Sequence, residues 1–351
     1  MAVDNNSNSM NDSYSDYGEL ITMCNLKLYH QITAASFIII FCFSLLMNSL
    51  LLYILARFED LNRVTMFFLL NLAIFDLLFT ITLPLWATDH FYQWVFGNIA
   101  CKILIWTYFM GIYGSLILLT AMTVDRYFAI VVRSPWLTHQ RRLNLARAAC
   151  ICAWLISGGA CLKEALSSKV ILVDQIFTCN AESSEEDKTG YYTQFALLFL
   201  LPLLIIIFCY SRILHTLMST SARQKYRTVL VVLGIVVAFF ICWGPYHIVM
   251  IVTAVQLSPD CVRRNKLHQS FVICQIFAYS HCCVNPVLYM LRKKSRTILS
   301  SILFCSPELR QAGPEGRAND FSHSNILQHS VVDRADVCKT KEQNVTELKP
   351  V

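Results

Sequence analysis

Apolar residues in this chain come in long blocks, with the polar residues gathered between them. Seven blocks recur, at about 31–56, 65–88, 98–132, 144–166, 191–217, 224–256 and 267–291. A helix needs roughly 20 apolar residues to cross a bilayer, and seven such helices with loops and tails need a chain of about this length. The expected fold is an all-α membrane protein, a seven-transmembrane helix bundle. The last block is the most diluted, by Gln269, Ser270, Gln275, Ser280, His281 and Asn285. Polar groups inside a span belong on the bundle interior or a cavity. After it, Lys293–Phe304 pairs a basic start with Ile298, Leu299, Ile302 and Leu303, the pattern of a helix lying on a membrane surface. The chain thus divides into a tail (1–30), a seven-transmembrane domain (31–291), an amphipathic membrane-surface helix (292–305) and a polar, disordered tail (306–351).

Composition agrees. Of 351 residues, 56% are hydrophobic and 15% charged, against about 25% charged in a soluble domain. With a mean hydropathy of +0.50, this excludes a soluble or a disordered chain. The net charge of +6 comes without a long basic run, which turns attention from nucleic acid to sidedness. Residues 1–30 and the 2–3, 4–5 and 6–7 loops, with the adjoining helix ends, hold 8 basic and 12 acidic residues. The opposite side holds 21 basic and 10 acidic residues, and Asp76 is buried in the second span. The basic side is expected to be cytoplasmic, which puts the N-terminus outside and the C-terminus inside. Sequons at Asn5 and Asn11 lie on the outer side as glycosylation candidates; Asn344 lies on the inner side and should be unmodified. The first 30 residues are polar and acidic, so no cleavable signal peptide is expected.

The chain has 15 cysteines. Most sit within spans, as small apolar residues. Four lie at the outer face, Cys24, Cys101, Cys179 and Cys261, and four cysteines permit three pairings. Cys24 precedes the first span and Cys261 the seventh, which are neighbours if the helices close into a ring. The expected bonds are Cys101–Cys179, pinning the 4–5 loop over the bundle, and Cys24–Cys261. No metal or nucleophile cluster suggests an enzyme, and the internal repeat expected of a transporter is missing.

The third span ends in Asp125-Arg126-Tyr127. The seventh carries Asn285-Pro286-Val287-Leu288-Tyr289, and the sixth Cys242-Trp243-Gly244-Pro245. The first has Asn48, the second Asp76, the fourth Trp154 and the fifth Pro202. In this order and at these depths they resemble the rhodopsin-like (class A) G-protein-coupled receptors, over about residues 30–305. A carboxylate in mid-span, such as Asp76, needs a cation, a proton or polar neighbours. Asn48, Ser115 and Asn285 are candidates to supply oxygen atoms. The resemblance implies a sodium ion there, and a protonated, hydrogen-bonded Asp76 is the alternative. Beyond that ion no cofactor is expected. Pro202, Pro245 and Pro286 each remove one helical hydrogen bond. The resemblance further implies that Trp243, Phe239, Leu116 and Pro202 form a packing relay that shifts on activation. Tyr210 and Tyr289 would then meet Arg126 as an inner cavity opens. Lys225 stands where some relatives place an acidic partner for this arginine, so restraint of Arg126 falls to Asp125 and to packing.

The outer half narrows the family. Thr82-Leu83-Pro84, the loop Trp94-Val95-Phe96-Gly97, His281-Cys282-Cys283-Val284-Asn285-Pro286 and the Cys24/Cys261 pair resemble the chemokine receptors. Tyr226-Arg227-Thr228-Val229, the run Phe239–Tyr246 and Ala165–Val170 are most similar to the XC-type (lymphotactin) branch; a CC-type or other chemokine receptor is the alternative. Two departures stand out. Gln275 replaces a glutamate common in this family, and Met47 a glycine. The expected pocket is walled by Trp86, Lys102, Trp106, Tyr108, Tyr246 and Gln275, of which Trp86, Tyr108 and Tyr246 match pocket positions of the resembled family. The resemblance also implies a basic chemokine as ligand and an inhibitory-type heterotrimeric G protein as partner, with calcium signalling and chemotaxis downstream. The stretch Asp12–Glu19 mixes acids with Tyr14 and Tyr17, candidates for sulfation and for contact with a basic ligand. Glu182, Glu185, Glu186 and Asp187 form a second acidic patch. Inner serines, among them Ser322, Ser324 and Ser330, are candidates for receptor kinases and arrestin. Cys305 is a candidate for palmitoylation. Partners are therefore a chemokine, a G protein, kinases, arrestin and membrane lipids, with no nucleic acid, at the plasma membrane. The rival functions are a class A receptor for another peptide, a lipid or a nucleotide, and a chemokine scavenger that does not signal; the intact Asp125-Arg126-Tyr127 speaks against the scavenger.

Overall fold

The structure, a computed structural model, describes residues 8–173, 176–181, 195–218, 223–255 and 261–290, with side chains for 29–172, 176–180, 195–197, 199–218, 229–253 and 266–290. Among the described residues seven helices are long and apolar enough to cross a membrane. They are Tyr29–Phe58, Val64–Phe91, Gly97–Val132, His139–Ser167, Leu201–Met218, Val229–Thr253 and Lys266–Met290, called here the first to seventh spans. One span answers to each apolar block. The surface-helix segment 292–305, the tail 306–351 and the acidic patch at 182–187 lie outside the described residues.

The ends differ from the expected ones where hydropathy is silent. The first helix starts at Asn8 rather than near 31 and runs without a break to Phe58. The fourth starts at His139 rather than 144, because Thr138 caps it: its Oγ1 accepts from the Arg141 amide at 3.4 Å. The third ends in a π-helical turn, Phe128–Val132, closed by Arg133 in the left-handed region at φ 47°. A second π turn, Ala196–Leu200, leads into the fifth span.

Two spans are broken in the middle. The second consists of Val64–Thr80 and Leu83–Phe91, because Pro84 brings no amide hydrogen to the second piece. Thr82 closes the break, its amide (3.1 Å) and hydroxyl (2.6 Å) both donating to the Phe79 carbonyl. The seventh consists of Cys261–Tyr279 and His281–Met290, hinged at Ser280.

Apolar side chains occupy the core and much of the outer surface. Phe37, Phe75, Phe79, Leu118 and Leu119 are fully enclosed, while Leu46, Leu155, Leu204, Ile241 and Ile273 stand exposed. Such a belt suits lipid as the solvent. The second and third spans touch at backbone distance. A Cβ on Gly114 would lie 2.2 Å from the Phe75 ring, and one on Gly111 2.8 Å from the Phe79 Cβ.

The 4–5 connection holds a hairpin that the apolar blocks do not reveal. Its strands, β1 (Ser168–Val173) and β2 (Ile176–Ala181), are antiparallel with Val170 opposite Cys179. Cys101 and Cys179 are disulfide-bonded, tying β2 to the head of the third span. The Cys24–Cys261 pair lies outside the described side chains. Further ties fix the hairpin: Trp94 N to the Phe177 carbonyl (2.7 Å), Val170 N to Asn98 Oδ1 (2.7 Å), and Thr178 Oγ1 to Asp89 Oδ2 (2.9 Å). The 2–3 loop can offer Trp94 this way because Gly97 takes φ 78°, a conformation side chains rarely adopt, while Trp94 Nε1 donates to its carbonyl at 2.9 Å.

Candidate functional site

Below the hairpin a cavity of ≈ 80 Å³ opens between the third, fifth and sixth spans. Tyr108, Tyr113, Phe199, Tyr246 and His247 wall it, and Leu116, Phe239 and Trp243 close its floor. Of the expected pocket residues, Tyr108 and Tyr246 are in this wall. Trp86 stands behind, edge-on to Tyr108 with ring centroids 5.9 Å apart. Gln275 reaches the wall through a relay: it donates to the Tyr279 hydroxyl at 3.0 Å, which donates to the Tyr108 hydroxyl at 2.8 Å. Two expected wall residues turn elsewhere. Trp106 Nε1 donates to the Gly158 carbonyl of the fourth span at 3.0 Å, and the Lys102 ammonium to the Leu166 carbonyl. Each is taken up by a carbonyl of the fourth span instead of lining the cavity.

Trp243 stacks on Phe239 at 6.0 Å. Pro202, expected in the same relay, is half-buried on the fifth span and not in the cavity wall. Against Trp243 and Phe239 lies His281, which its polarity inside a span places on the bundle interior but to which the sequence alone assigned no role. The buried ring of His281 meets Trp243 (5.3 Å), Phe239 (5.5 Å) and Phe79 (5.1 Å), and its Nδ1 donates to the Ala278 carbonyl at 2.9 Å. Tyr279 was missed: it stacks on Phe37 at 5.0 Å and meets Phe79 edge-on at 5.1 Å. The same signal was available for it, since a polar ring inside an apolar span needs an interior partner.

One layer deeper lies Asp76, fully buried. It accepts from Ser115 Oγ at 3.1 Å and from Asn285 Nδ2 at 2.7 Å. Asn48 does not bond to it. Its amide donates to the Cys282 carbonyl (2.9 Å) and to Ser44 (3.0 and 3.1 Å), leaving Oδ1 buried without a partner. The Asp76 carboxylate, the Ser115 hydroxyl and the spare Asn48 Oδ1 are hard oxygens of the kind sodium accepts, whereas Asn285 turns its amide nitrogen, not its oxygen, to the carboxylate.

At the far end Arg126 pairs with Asp125 at 3.2 Å and donates to Thr65 Oγ1. Asp125 is shared. Arg142, at the start of the fourth span, grips it as a fork, with Nε and Nη2 on Oδ1 at 3.0 and 2.9 Å and Nη2 on Oδ2 at 2.8 Å. Neither Arg142 nor Thr65 was singled out in the sequence. Tyr289, fully buried, points its hydroxyl at Met66 Sδ, 3.6 Å away. Tyr210 is buried on the fifth span. The side chains of Tyr14, Tyr17, Asn5, Asn11, Lys225 and Cys305 lie outside those described.

The 7 transmembrane receptor (rhodopsin family) model matches residues 47–289. The chain is 36% identical to human chemokine XC receptor 1 over 280 residues, covering 77% of this chain and 81% of that protein. It is 31% identical to human C-C chemokine receptor type 8 over 308 residues, covering 85% and 86%. Against C-C chemokine receptor type 3 of Cavia porcellus the identity is 32% over 268 residues, 74% of each chain.

Proposed function

Starting from a chain that belongs to the rhodopsin family of seven-transmembrane receptors, and within it to the chemokine receptors, we propose that it binds a basic chemokine and activates a heterotrimeric G protein. The ligand class is that in the relatives' names, with the XC type favoured by the 36% identity to human XC receptor 1 and by the resemblance of the inner motifs to that branch. The observation that carries the mechanism is structural continuity. One connected set of rings runs from Tyr108 in the cavity through Phe79 to His281, Trp243 and Phe239, and Asp76 and Asn285 lie one turn further along the spans that carry Phe79 and His281.

The acidic outer residues draw in and seat the folded ligand, including Tyr14 and Tyr17, which sulfation would make more acidic. Its N-terminal segment enters between Tyr108 and Tyr246. At ≈ 80 Å³ the cavity is far below the roughly 300–1,000 Å³ of ligand sites, so occupancy must push the wall apart. The elements that can bend are present: Trp243 lies on a helix that carries Pro245 in its interior, one helical hydrogen bond short, and the seventh span breaks at Ser280. A ligand that prefers the widened form shifts the population, since differential affinity is required. At the other end the shift must part Arg126 from Asp125 and Thr65, freeing its guanidinium for the G protein. In the closed form a sodium ion held by Asp76, Ser115 and Asn48 Oδ1 would neutralise the buried carboxylate, with Asn285 joining once its amide turns its oxygen inward. The termini follow the charge asymmetry, N-terminus outside and C-terminus inside the plasma membrane. The inner serines recruit kinases and arrestin, and palmitate on Cys305 anchors the surface helix. Gln275 keeps a hydrogen-bonding role without the negative charge of the common glutamate, so the pocket contributes less than the tail to recognition of a basic group.

The test is a chemokine panel applied to cells expressing the full chain, read by labelled-ligand binding and by G-protein dissociation. An XC-type ligand should bind and trigger dissociation. Binding with uptake and no dissociation would turn the reading to a scavenger. No binding by any chemokine would turn it to another class A ligand.

A further inference from the structure

Three histidines from three spans meet at the disulfide end of the bundle: His30 on the first, His90 on the second and His268 on the seventh. His30 Nδ1 and His90 Nδ1 lie 3.3 Å apart, with ring centroids at 5.5 Å, and the His268 ring is 6.4 Å from that of His30. His90 is steadied by Phe37, edge-on at 5.6 Å. The neighbouring Asp89 carboxylate accepts from Thr178 through Oδ2, with Oδ1 buried beside it.

Two facing Nδ1 lone pairs at this distance repel unless something sits between them. One proton does so, as an N–H···N bond. A metal ion does so as well. Two Zn–N bonds of about 2.0–2.1 Å at the tetrahedral angle set their nitrogens about 3.3–3.4 Å apart. The observed separation matches that bite, and neutral imidazole is the common ligand for zinc-class ions. From this geometry we infer that His30 and His90 form a two-imidazole chelate for a divalent transition-metal ion of the Zn²⁺ class. Both rings then carry their proton on Nε2. Among the described residues no three His, Cys, Asp or Glu side chains are already gathered for a metal, so water fills the remaining positions until the exposed His268 turns in to supply a third nitrogen. The bound ion clips the first span to the second and draws the seventh towards them, at the end where the hairpin covers the bundle. The inference stands apart from the ligand and G-protein reading.

The test uses the purified full chain in detergent with Zn²⁺ alone, read by its thermal midpoint, and with Co²⁺ as a spectroscopic substitute. The wild type should be stabilised by Zn²⁺ and returned by a chelator, and Co²⁺ should give the visible bands of tetrahedral nitrogen ligation. His30→Asn and His90→Asn keep a polar side chain of similar reach and should each weaken Zn²⁺ binding. Losing even an outer-shell partner costs about 10- to 100-fold in metal affinity, so loss of a direct ligand should cost at least that much. His268→Asn should cost less. The metal-free midpoints of the variants report whether they fold, and if one does not, the Co²⁺ spectrum of the wild type still decides. A wild type indifferent to Zn²⁺ and without Co²⁺ bands would mean that one proton bridges the pair, overturning the proposal. So would equal Zn²⁺ responses in wild type, His30→Asn and His90→Asn.

Discussion

The side-chain amide of Asn48 donates to the backbone carbonyl of Cys282 at 2.9 Å, joining the first span to the seventh. Cys282 lies four residues before Pro286, so its carbonyl is the acceptor that the proline's missing amide hydrogen leaves without a helical donor. Inside the bundle that acceptor needs another donor, and here the neighbouring helix supplies it. Asn48 is thus the counterpart of Pro286. Asn48→Leu should lower the stability of the purified chain by about 0.6–1.7 kcal/mol, the range of hydrogen bonds between membrane helices. In a Pro286→Ala background the backbone regains an amide hydrogen that can donate to Cys282 itself, and the same change should cost clearly less. Equal losses in both backgrounds, measured as thermal midpoints, would break the link between the two residues.

Asp125 answers to two arginines, and they differ in consequence. Arg142 holds it with a fork, whereas Arg126 holds it through one nitrogen at 3.2 Å. Asp125→Asn leaves two neighbouring cations without their anion and leaves Arg126 held by Thr65 alone. A hydrogen bond to a charged group is worth about 1.5–3 kcal/mol, so the closed-to-open ratio should fall roughly 10- to 150-fold and ligand-free G-protein activity should rise. Arg142→Ala removes the competing cation and leaves Asp125 to Arg126 alone, so basal activity should stay at or below that of the wild type. A basal rise in Arg142→Ala would show that the fork, not the Arg126 pair, is the restraint.

The hairpin hangs on the Cys101–Cys179 bond, with Trp94, Asn98 and Asp89 as lesser ties. The bond closes a sequence separation of 78 residues. Cys179→Ala should cost about 2–5 kcal/mol, seen as a lower thermal midpoint and fewer receptors reaching the cell surface. Asn98→Ala removes one neutral hydrogen bond from an exposed position in the first turn of the third span, so its cost should be near 1 kcal/mol or less. If the two variants behaved alike, the loop would owe its position to the hydrogen bonds instead.

The count of spans was legible because lipid demands long apolar helices, and that demand is written in composition. Which side chains face inward was less so. In a span the lipid face and the core face are both apolar, and periodicity then separates them poorly. That is why Trp106 and Lys102, on the third span beside Tyr108, were expected in the cavity and are found against carbonyls of the fourth-span segment. Arg142 escaped notice because it falls in a polar turn that hydropathy places before the fourth span, and only the Thr138 cap makes that turn helical. The β-hairpin is short and local, and its strand pairing leaves no mark on the apolar blocks. Proline and buried polar positions were the better guides: Asp76, Asn285 and Pro286 all mark places where a lone polar group or a missing donor forces a partner.

Gly114 tests how closely the second and third spans depend on one another. Its hydrogen faces the Phe75 ring, and an added Cβ would come within 2.2–2.5 Å of three ring atoms. The ring cannot retreat freely, because its other face is stacked on Trp154 at 4.2 Å, and Trp154 Nε1 is held by Asn71 Oδ1 at 3.3 Å. Gly114→Ala should therefore part the spans or displace Phe75 and Trp154 together, at about 1–3 kcal/mol for an overpacked core. Asp76 is one residue from Phe75, and Ser115 is one residue from Gly114, so the same movement pulls on their 3.1 Å hydrogen bond. The stability loss should be accompanied by altered ligand-free signalling. Phe75→Leu in the Gly114→Ala background removes the colliding ring edge and should recover part of both. Two losses that simply add in the double variant would mean that the glycine serves flexibility of the third span rather than contact with the second.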